Sequence, residues 1–457
     1  MKIKLIIAVI FYILISGNVF CDDTSKTITE NNFRTPLRKA PYIIYSDIPT
    51  EMSILWQTES TAVCSIEWGI DTLYTSGDTA VLEYGIDHQY KQVITNLLSN
   101  TKYYYQVHSD GDIYSGSFFS APASESTELK FIAYGDSRMY TAIHDQIAEK
   151  VIASFTEDNA FQSFIISSGD LVNDGNIEEE WDEYLFNPSY LSITNLLANI
   201  PFLSAVGNHD GDGELFMKYF PYPYHNERYW SFDYGPVHFM IVDQFTDYST
   251  GSDQLIWLEN ELINSTKAWK FISLHEPGWS TGRHGNNQDV QDYIQPLCEE
   301  YGVSIIFSGH NHLYARALVN NVLHITTGGG GAPLNTPGLN DPYVITAVAE
   351  YHFCKIEIID NILNFTAVNI EGEVIDSFVV NLIPNPENVT VTACNDSITI
   401  SWDEVQNADS YNIYSSSDPN EPYENWLLEE TGIQDTSWTD ILNSQKFYFV
   451  KTIMSSY

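Results

Sequence analysis

Basic side chains are scarce in this sequence of 457 residues, which has 20 Lys and Arg against 61 Asp and Glu and a formal net charge of −41. A surface this negative repels a phosphate backbone, so we expect no nucleic-acid partner. Hydrophobic residues make up 44% of the chain and aromatic residues 14%. This content is enough for buried cores and excludes wholesale disorder. The length suggests about three domains, at roughly 150 residues each.

Cysteine is also scarce, with five residues and no CxxC pair. This spacing argues against a zinc knuckle and against a dense disulfide framework. The four cysteines that follow the N-terminal segment are most simply interpreted as buried free thiols. One long-range bridge, between Cys298 and Cys354, stays open as an alternative.

The hydrophobic run at the N-terminus is short: two lysines precede an apolar stretch at residues 5–15. This pattern predicts a signal peptide at residues 1–21, because a bilayer span needs about 20 apolar residues. Lipidation of Cys21 is the alternative, although Phe20 fits a lipobox poorly. We therefore expect no transmembrane segment and a secreted, periplasmic or cell-surface protein.

Strand patterns at both ends of the chain flank a central region of a different kind. Short strands bounded by Gly, Asn and Asp predict an antiparallel β-sandwich at residues 38–122, after a flexible leader at residues 22–37. The strand pattern resumes in residues 384–457 and predicts a second small sandwich. Between them, in residues 129–383, continuous apolar strands alternate with helical segments, which is typical of an α/β domain. A hairpin pattern around Gly235 indicates that its sheet is mixed.

Polar side chains follow hydrophobic strands directly at several places in the central region. The five motifs are Gly135-Asp136-Ser137-Arg138, Gly169-Asp170-Leu171-Val172-Asn173, Gly207-Asn208-His209-Asp210, Leu274-His275-Glu276-Pro277 and Gly309-His310-Asn311-His312. In an open α/β sheet the carboxyl ends of the strands face one crevice, so residues remote in sequence converge there. Two carboxylates, an amide and several imidazoles suit borderline divalent metals better than calcium. Each motif alone would be a turn, but together they predict a metal centre.

The five motifs in this order resemble those of the calcineurin-like metallophosphoesterase superfamily, specifically its purple-acid-phosphatase-like branch with an N-terminal fibronectin-type domain. The resemblance covers about residues 40–380 and includes the stretches Asn100–Tyr105, Tyr229–Gly235 and Gly328–Gly331. It implies an α/β (α+β) catalytic domain with mixed sheets and flanking helices. The region from residue 384 is similar to a bacterial fibronectin type III module.

The resemblance implies two metal ions, divalent or mixed-valence, with Fe, Zn and Mn as the expected metals. Asp170 would bridge them, one metal adding Asn208, His275 and His310 and the other Asp136 and His312. The family mechanism implies that a metal-bound hydroxide attacks phosphorus in line. His209 would protonate the leaving group or stabilise charge on the phosphoryl group, and Asp210 would orient His209.

Two positions depart from the family pattern. Arg138 stands where the superfamily usually has histidine and the purple phosphatases have glycine, and Asn173 stands where the purple phosphatases have a metal-binding tyrosine. Without a tyrosinate we expect no visible absorption band, and Asn173 or water would complete the metal shell of Asp136 and His312. A guanidinium has no lone pair for a metal, so Arg138 would hold a phosphate oxygen or pair with a nearby acid. His284 would line the mouth of the pocket.

These features together predict an exported metal-dependent phosphomonoesterase that acts on small organic phosphates. A phosphodiesterase or nucleotidase of the same superfamily is the nearest alternative, because substrate choice depends on loop shapes that motif spacing does not reveal. An alternative of another class is a non-catalytic surface protein with a degenerate phosphoesterase scaffold, whose fibronectin-like modules contact glycan or a partner protein. The presence of the whole ligand set argues against this last alternative.

Overall fold

The computed structural model describes residues 37–226, 228–338, 341–382, 386, 388–394, 397–405, 408–418, 426–441 and 446–453. The predicted signal peptide at 1–21 and residues 22–36 of the predicted leader lie outside these ranges. Within them, no helix is both long and apolar enough to cross a membrane. The four cysteines of the described residues are free, so the bridge left open between Cys298 and Cys354 is not formed.

Seven strands form two antiparallel sheets in the N-terminal region. They are β1 (Leu37–Ile44), β2 (Met52–Thr58), β3 (Cys64–Gly69), β4 (Gly77–Val81), β5 (Gln89–Ile94), β6 (Lys102–Ser109) and β7 (Asp112–Phe119). The strand orders are β1-β2-β5 and β4-β3-β6-β7. Alternating side chains point to one face of each sheet, and Ile54, Trp56 and Val107 from the two sheets lie in one hydrophobic cluster. The predicted all-β character of this region is confirmed.

The central region contains thirteen strands among the described residues. They are β8 (Glu128–Ala133), β9 (Ile165–Ser167), β10 (Phe202–Ser204), β11 (Trp230–Tyr234), β12 (Val237–Ile241), β13 (Trp269–Ser273), β14 (Ile305–Ser308), β15 (Tyr314–Val319), β16 (Val322–Thr327), β17 (Val344–Val348), β18 (His352–Ile359), β19 (Ile362–Asn369) and β20 (Val374–Asn381). They form two mixed sheets with the orders β10-β9-β8-β18-β19-β20 and β11-β12-β13-β14-β16-β15-β17. The predicted hairpin is β11–β12, in which Tyr234 pairs with Val237.

Short helices connect these strands. They are α1 (Thr141–Glu157), α2 (Glu178–Glu180), α3 (Leu191–Leu197), α4 (Glu214–Tyr219), α5 (Asp253–Asn264) and α6 (Gln295–Tyr301), with a 3₁₀ turn at Asn159–Phe161 and π-helical turns at Trp181–Leu185 and Val290–Ile294. The helical pattern of the sequence predicts a helix at residues 253–264, and α5 has these bounds. Its first turn is capped by the Ser252 side chain, which accepts from the backbone N–H of Leu255, and its apolar face buries Trp257 and Leu258.

The two central sheets pack face to face. The Phe131 ring of β8 lies 5.4 Å from that of Phe239 on β12, 6.0 Å from that of Phe271 on β13 and 6.1 Å from that of Phe307 on β14, measured between centroids. The strands β8, β9 and β10 are parallel to one another, and so are β12, β13, β14 and β16. The polar motifs therefore follow strands of two facing sheets, whereas the sequence argument used one open sheet.

In the described part of the C-terminal region, six strands form two further antiparallel sheets. They are β21 (Thr390–Cys394), β22 (Ser397–Ser401), β23 (Ser410–Ser416), β24 (Leu427–Ile433), β25 (Ser437–Ile441) and β26 (Phe447–Ile453). The orders are β21-β22-β25 and β24-β23-β26, and Trp402, Tyr411 and Ile413 belong to their common core. The all-β prediction for this end is confirmed. Its assignment to fibronectin type III and the domain bounds remain predictions, and Pro384 lies outside the described residues.

Candidate metal centre

A glycine precedes four of the six predicted ligands, and three ligands have strained backbone. Asp136, Asp170 and His310 have φ of 56°, 56° and 63°. Residues with a Cβ rarely adopt these angles, and each instance costs on the order of 1–3 kcal/mol. Strain of this kind persists where the surrounding structure fixes a functional side chain. The turns after β8, β9 and β14 therefore hold these ligands in conformations that local preference disfavours.

Two of the preceding glycines leave space that the carboxylates occupy. A Cβ on Gly207 would lie 2.2 Å from Oδ1 of Asp170, and a Cβ on Gly309 would lie 2.2 Å from Oδ2 of Asp136. Neither contact is sterically allowed, so any side chain at these positions would displace a carboxylate. Glycine is thus required before Asn208 and before His310 because of packing as well as because of the turn.

The first group of ligand atoms consists of buried side chains on three different loops. One ligand atom each of Asp136, Asp170 and His312 lie within 4.8 Å of one another. Nδ1 of His312 lies 2.8 Å from the carbonyl oxygen of Pro333. Since a carbonyl only accepts, Nδ1 carries the proton and Nε2 has the lone pair. That lone pair faces Oδ1 of Asp136 at 3.5 Å, so a nitrogen and an oxygen that can both act as metal ligands point at each other.

The second group forms around the amide oxygen of Asn208. Nδ1 of His275 donates to the carbonyl oxygen of Ser168 at 2.8 Å, which leaves the lone pair on Nε2. Nε2 of His275 lies 2.9 Å from Oδ1 of Asn208 and 3.4 Å from Oδ1 of Asp170. Nδ1 of His310 lies 2.9 Å from the same Asn208 oxygen. Asp170 therefore belongs to both groups of ligand atoms.

Burial and neighbouring charges shift the pKa values of several groups in the site. Burial, and then the neighbouring charge of Asp170, raise the pKa of Asp136 well above its usual value. Burial alone would raise the pKa of Asp170, but the nearby His275 ring and other groups outweigh it and lower the pKa. Burial lowers the pKa of His310 to about 3 and that of His312 to about 4, so both rings are neutral at neutral pH.

This donor set fits metal ions. Two buried carboxylates that repel each other, neutral imidazoles and an amide oxygen are N and O ligands of the kind that borderline divalent metals prefer. Two protein carbonyls hold the rings of His275 and His312 so that Nε2 faces the other donors, which is the usual arrangement behind a metal-bound histidine. The structure thus brings together all six predicted metal ligands in two groups that share Asp170.

The sequence analysis predicts that Asp210 orients His209, but in the structure the two side chains have different partners. Nδ1 of His209 lies 2.7 Å from the backbone carbonyl oxygen of Asn173, so this carbonyl orients the ring. Burial, and then the charge of Asp170, raise the pKa of Asp210 to about 7. The Asp210 carboxylate accepts backbone N–H groups, which are those of Gly207 at 2.7 Å, Leu171 at 2.8 Å and Asp170 at 2.9 Å. Asp210 thus ties two ligand loops together rather than orienting His209.

Arg138 forms the salt bridge that was the alternative to phosphate binding. Its Nε donates to Oδ2 of Asp170 at 3.1 Å, and its Nη1 donates to Oδ1 of Asn173 at 3.0 Å. The side-chain oxygen of Asn173 therefore accepts from a guanidinium in this structure, and its assignment as a further metal ligand stays a prediction. His284 is exposed, and its ring lies 4.3 Å from that of His310, which agrees with a place at the mouth of the site.

Sequence reasoning missed the backbone groups that orient the ligands. The carbonyls of Ser168, Asn173 and Pro333 hold three imidazoles, but a carbonyl carries no residue-type signal. Only the position of Asn173 next to a predicted motif could have drawn attention to it.

Replacing Gly309 with alanine is expected to abolish binding of one metal ion per chain, because the new Cβ would displace the Asp136 carboxylate. Elemental analysis after dialysis against Mn²⁺ measures the loss. Gly372→Ala is the control for backbone strain alone, since its φ of 90° disfavours a side chain but the added methyl group meets no atom within 4 Å. Full metal content in Gly309→Ala would contradict the assignment of Asp136 as a ligand.

Comparison with known proteins gives the same picture. Residues 135–314 match the family model described as calcineurin-like phosphoesterase. Purple acid phosphatase 13 of Arabidopsis thaliana is 29% identical over 187 residues, which are 35% of this chain and 34% of that protein. Purple acid phosphatase 18 of the same plant is 26% identical over 332 residues, or 66% of this chain and 67% of that protein. The match to purple acid phosphatase 22 of the same plant covers 51% of this chain and 57% of that protein.

Among solved structures, the purple acid phosphatase PPD1 from yellow lupin (Lupinus luteus) seeds matches 75% of this chain and 74% of its own, with a TM-score of 0.63 and 19% identity. This likeness concerns the fold, and the family model covers the stretch that carries all five motifs. Residues 135–314 thus carry a calcineurin-like phosphoesterase domain, and the chain is similar to the plant purple acid phosphatases.

Proposed function

We propose that the protein is an exported metal-dependent phosphomonoesterase of the acid-phosphatase type that hydrolyses small phosphate esters. The observation that carries the proposal is the sharing of Asp170 by two groups of converging ligand atoms. Two metal ions held in this way are the arrangement used for displacement at phosphorus. Export is supported by the signal-peptide pattern of the N-terminal sequence.

Asp170 would bridge the two metals. One ion would be held with Asp136 and His312, and the other with Asn208, His275 and His310. When bound, the metals would polarise a phosphoryl oxygen and supply a water of lowered pKa as the nucleophile. Fe, Zn and Mn are the proposed metals, and a tyrosine ligand is absent from both groups of ligand atoms described above, so we expect a colourless enzyme.

His209 is the proposed proton donor to the leaving oxygen. Its backbone N–H donates to Oδ1 of Asp170 at 2.9 Å, and its Nδ1 is held by the Asn173 carbonyl. These two bonds fix the ring beside the ligands and leave Nε2 as the atom that exchanges a proton with substrate. A positioned group of this type contributes about 10²–10⁴-fold to a rate.

Positive charge at the site explains how an acidic protein receives an anionic substrate. The guanidinium of Arg138 is fixed beside Asp170 by two hydrogen bonds, and the metals would add further charge. A guanidinium has five N–H groups, so those beyond these two bonds can hold a phosphate oxygen. We propose that Arg138 has this second role, and that the exposed His284 contacts the substrate at the mouth of the site.

Removal of metal is expected to abolish hydrolysis of 4-nitrophenyl phosphate. Without the cations that His275 and His312 would help to hold, nothing would polarise the phosphoryl oxygen or lower the pKa of the attacking water. Treatment with a chelator and dialysis should remove activity, and Mn²⁺, Zn²⁺, Fe²⁺ or Co²⁺ should restore it. Elemental analysis before and after defines the metal content, and a sample dialysed without chelator is the control. Unchanged hydrolysis by protein shown to be free of metal would refute the proposed mechanism.

The same assay separates the alternatives of the sequence analysis. Bis(4-nitrophenyl) phosphate reports diesterase activity, and a turnover that exceeds that of the monoester would favour the diesterase. A protein that binds metal but hydrolyses none of the esters would support the non-catalytic surface protein.

A further inference from the structure

A cavity of about 460 Å³ lies beside Arg138 and is lined by residues from two stretches of chain. One wall contains Met139 and Tyr140, which directly follow Arg138 and lead into α1. The other wall contains Tyr184, on the π-helical turn Trp181–Leu185, and Tyr190, which precedes α3. Since consecutive Cα atoms are about 3.8 Å apart, the first wall begins one residue after Arg138 and three residues after the proposed ligand Asp136.

The two walls are connected to the site through Arg138 and Asn173. The hydrogen bond from Arg138 to the side chain of Asn173 joins the loops from which the walls extend. The carbonyl of the same Asn173 holds the His209 ring. Burial raises the pKa of the Tyr184 hydroxyl and the charge of Arg138 acts against this rise, so the guanidinium is within electrostatic reach of Tyr184. The cavity therefore adjoins Arg138, the residue proposed above to hold a phosphate oxygen.

The first wall presents thioether and aromatic surface to solvent, since Met139 is 39% exposed and Tyr140 is 47% exposed. On the second wall Tyr184 and Tyr190 are half-buried and pack in part against the hydrophobic core. Met139 also has a φ of 69°, a strained value of the kind that is retained at functional sites.

The turn that carries Tyr184 is held firmly. Trp181 is fully buried, and its Nε1 donates to the carbonyl oxygen of Gly175 at 3.1 Å. Asp182 accepts from Nε of Arg38 at 2.9 Å and also pairs with Lys39. A π-helical turn frequently marks a functional position, because its extra residue changes the direction of a side chain. The Tyr184 ring is thus presented from a fixed support.

We propose that this cavity binds the leaving group of the substrate and that the leaving group contains a planar aromatic ring, as in nucleoside and aryl phosphates. The inference rests on the proposed function. Tyrosine faces stack on planar rings, and a methionine sulfur makes favourable contacts with them. Glu183 and Asn187 also line the cavity and offer hydrogen-bonding groups to the edge of a ring.

The test compares Tyr184→Leu and Tyr140→Leu with the wild-type full chain on AMP, phenyl phosphate and glycerol 1-phosphate. For each variant, kcat/KM of each aromatic ester is divided by that of the glycerol ester. We expect this ratio to fall about 10-fold in both variants, since stacking on one aromatic side chain contributes about that much or more. Tyr104→Leu on β6 is the matched control and should keep the wild-type ratio. Loss confined to AMP would assign the ring to a nucleoside, and equal loss for both esters would assign any planar ring.

Binding of adenosine to the metal-free protein is a second measurement that needs no catalysis. Saturation-transfer NMR should show contact with the base in the wild type and a loss of it in Tyr184→Leu, with circular dichroism confirming the fold. An unchanged selectivity ratio in both variants, with hydrolysis of all three esters intact, would overturn the leaving-group site while leaving the proposed function in place. Hydrolysis of none of the esters by the metal-loaded wild type would overturn the proposed function. Adenosine binding would then still decide whether the cavity accepts a planar ring.

Discussion

Replacing Asp170 with asparagine is expected to lower kcat/KM for 4-nitrophenyl phosphate by about 10³-fold or more. Asp170 belongs to both groups of ligand atoms, and it also accepts from Nε of Arg138 and from the backbone N–H of His209. The substitution keeps the shape but removes the charge that both metals would share. Metal ions contribute several kcal/mol to charge stabilisation at phosphorus, and about 4 kcal/mol corresponds to about 10³-fold in rate.

The measurement combines steady-state kinetics with metal content by elemental analysis. Asp212→Asn is the matched control, because Asp212 is exposed and its Oδ1 accepts from the backbone N–H of Glu214, a role that asparagine can keep. We expect the control to bind both metals and to retain its activity. An Asp170→Asn protein with normal turnover and two bound metals would show that the bridging assignment is wrong.

Replacing His209 with alanine is expected to lower kcat by about 10²-fold or more, while the metals stay bound. The side chain of His209 is not one of the six proposed metal ligands. Its contact with Asp170 is made by its backbone N–H, which alanine retains. The loss should be larger for glycerol phosphate than for 4-nitrophenyl phosphate, because a poor leaving group depends more on a proton donor.

This dependence on the leaving group separates a proton donor from a residue that only positions the loop. A loss that is equal for both esters would contradict the assigned proton transfer and indicate a role in holding substrate or loop. His225→Ala is the matched control, since His225 is an exposed histidine of the same region whose ring packs near Tyr229 and Trp257 instead. We expect it to show wild-type rates and metal content.

Much of the fold follows from local patterns. The sequence predicts apolar strand runs at residues 129–134, 164–167, 202–206, 270–274 and 303–307, and the bounds of β8, β9, β10, β13 and β14 agree with them to within two residues. The helix α5 has its predicted bounds, because a capped amphipathic helix carries its own signals. The strands β15, β17, β18, β19 and β20 were not predicted. They pair antiparallel in the structure, and β17 and β20 lie at sheet edges, where mixed burial blurs the period-two pattern.

The roles of individual polar residues were harder to predict than their positions. The sequence places Asp210 beside His209, but its carboxylate binds three backbone N–H groups of two ligand loops. The sequence likewise places Asn173 near the site, but Arg138 engages its side chain and its carbonyl serves His209. Such partners depend on which loops meet in space, and adjacent motifs do not reveal that.

The sequence by itself determined the type of each ligand and its place after a strand, because glycine-led turns and apolar strand cores are local features. Only the tertiary structure decided that two sheets face each other, that Asp170 lies between two groups of donors, and that three carbonyls set the imidazole tautomers. It also decided that the loops beyond Arg138 and Asn173 enclose a tyrosine-lined cavity. These outcomes depend on long-range packing, in which burial and geometry at a distance fix what residue type and spacing leave open.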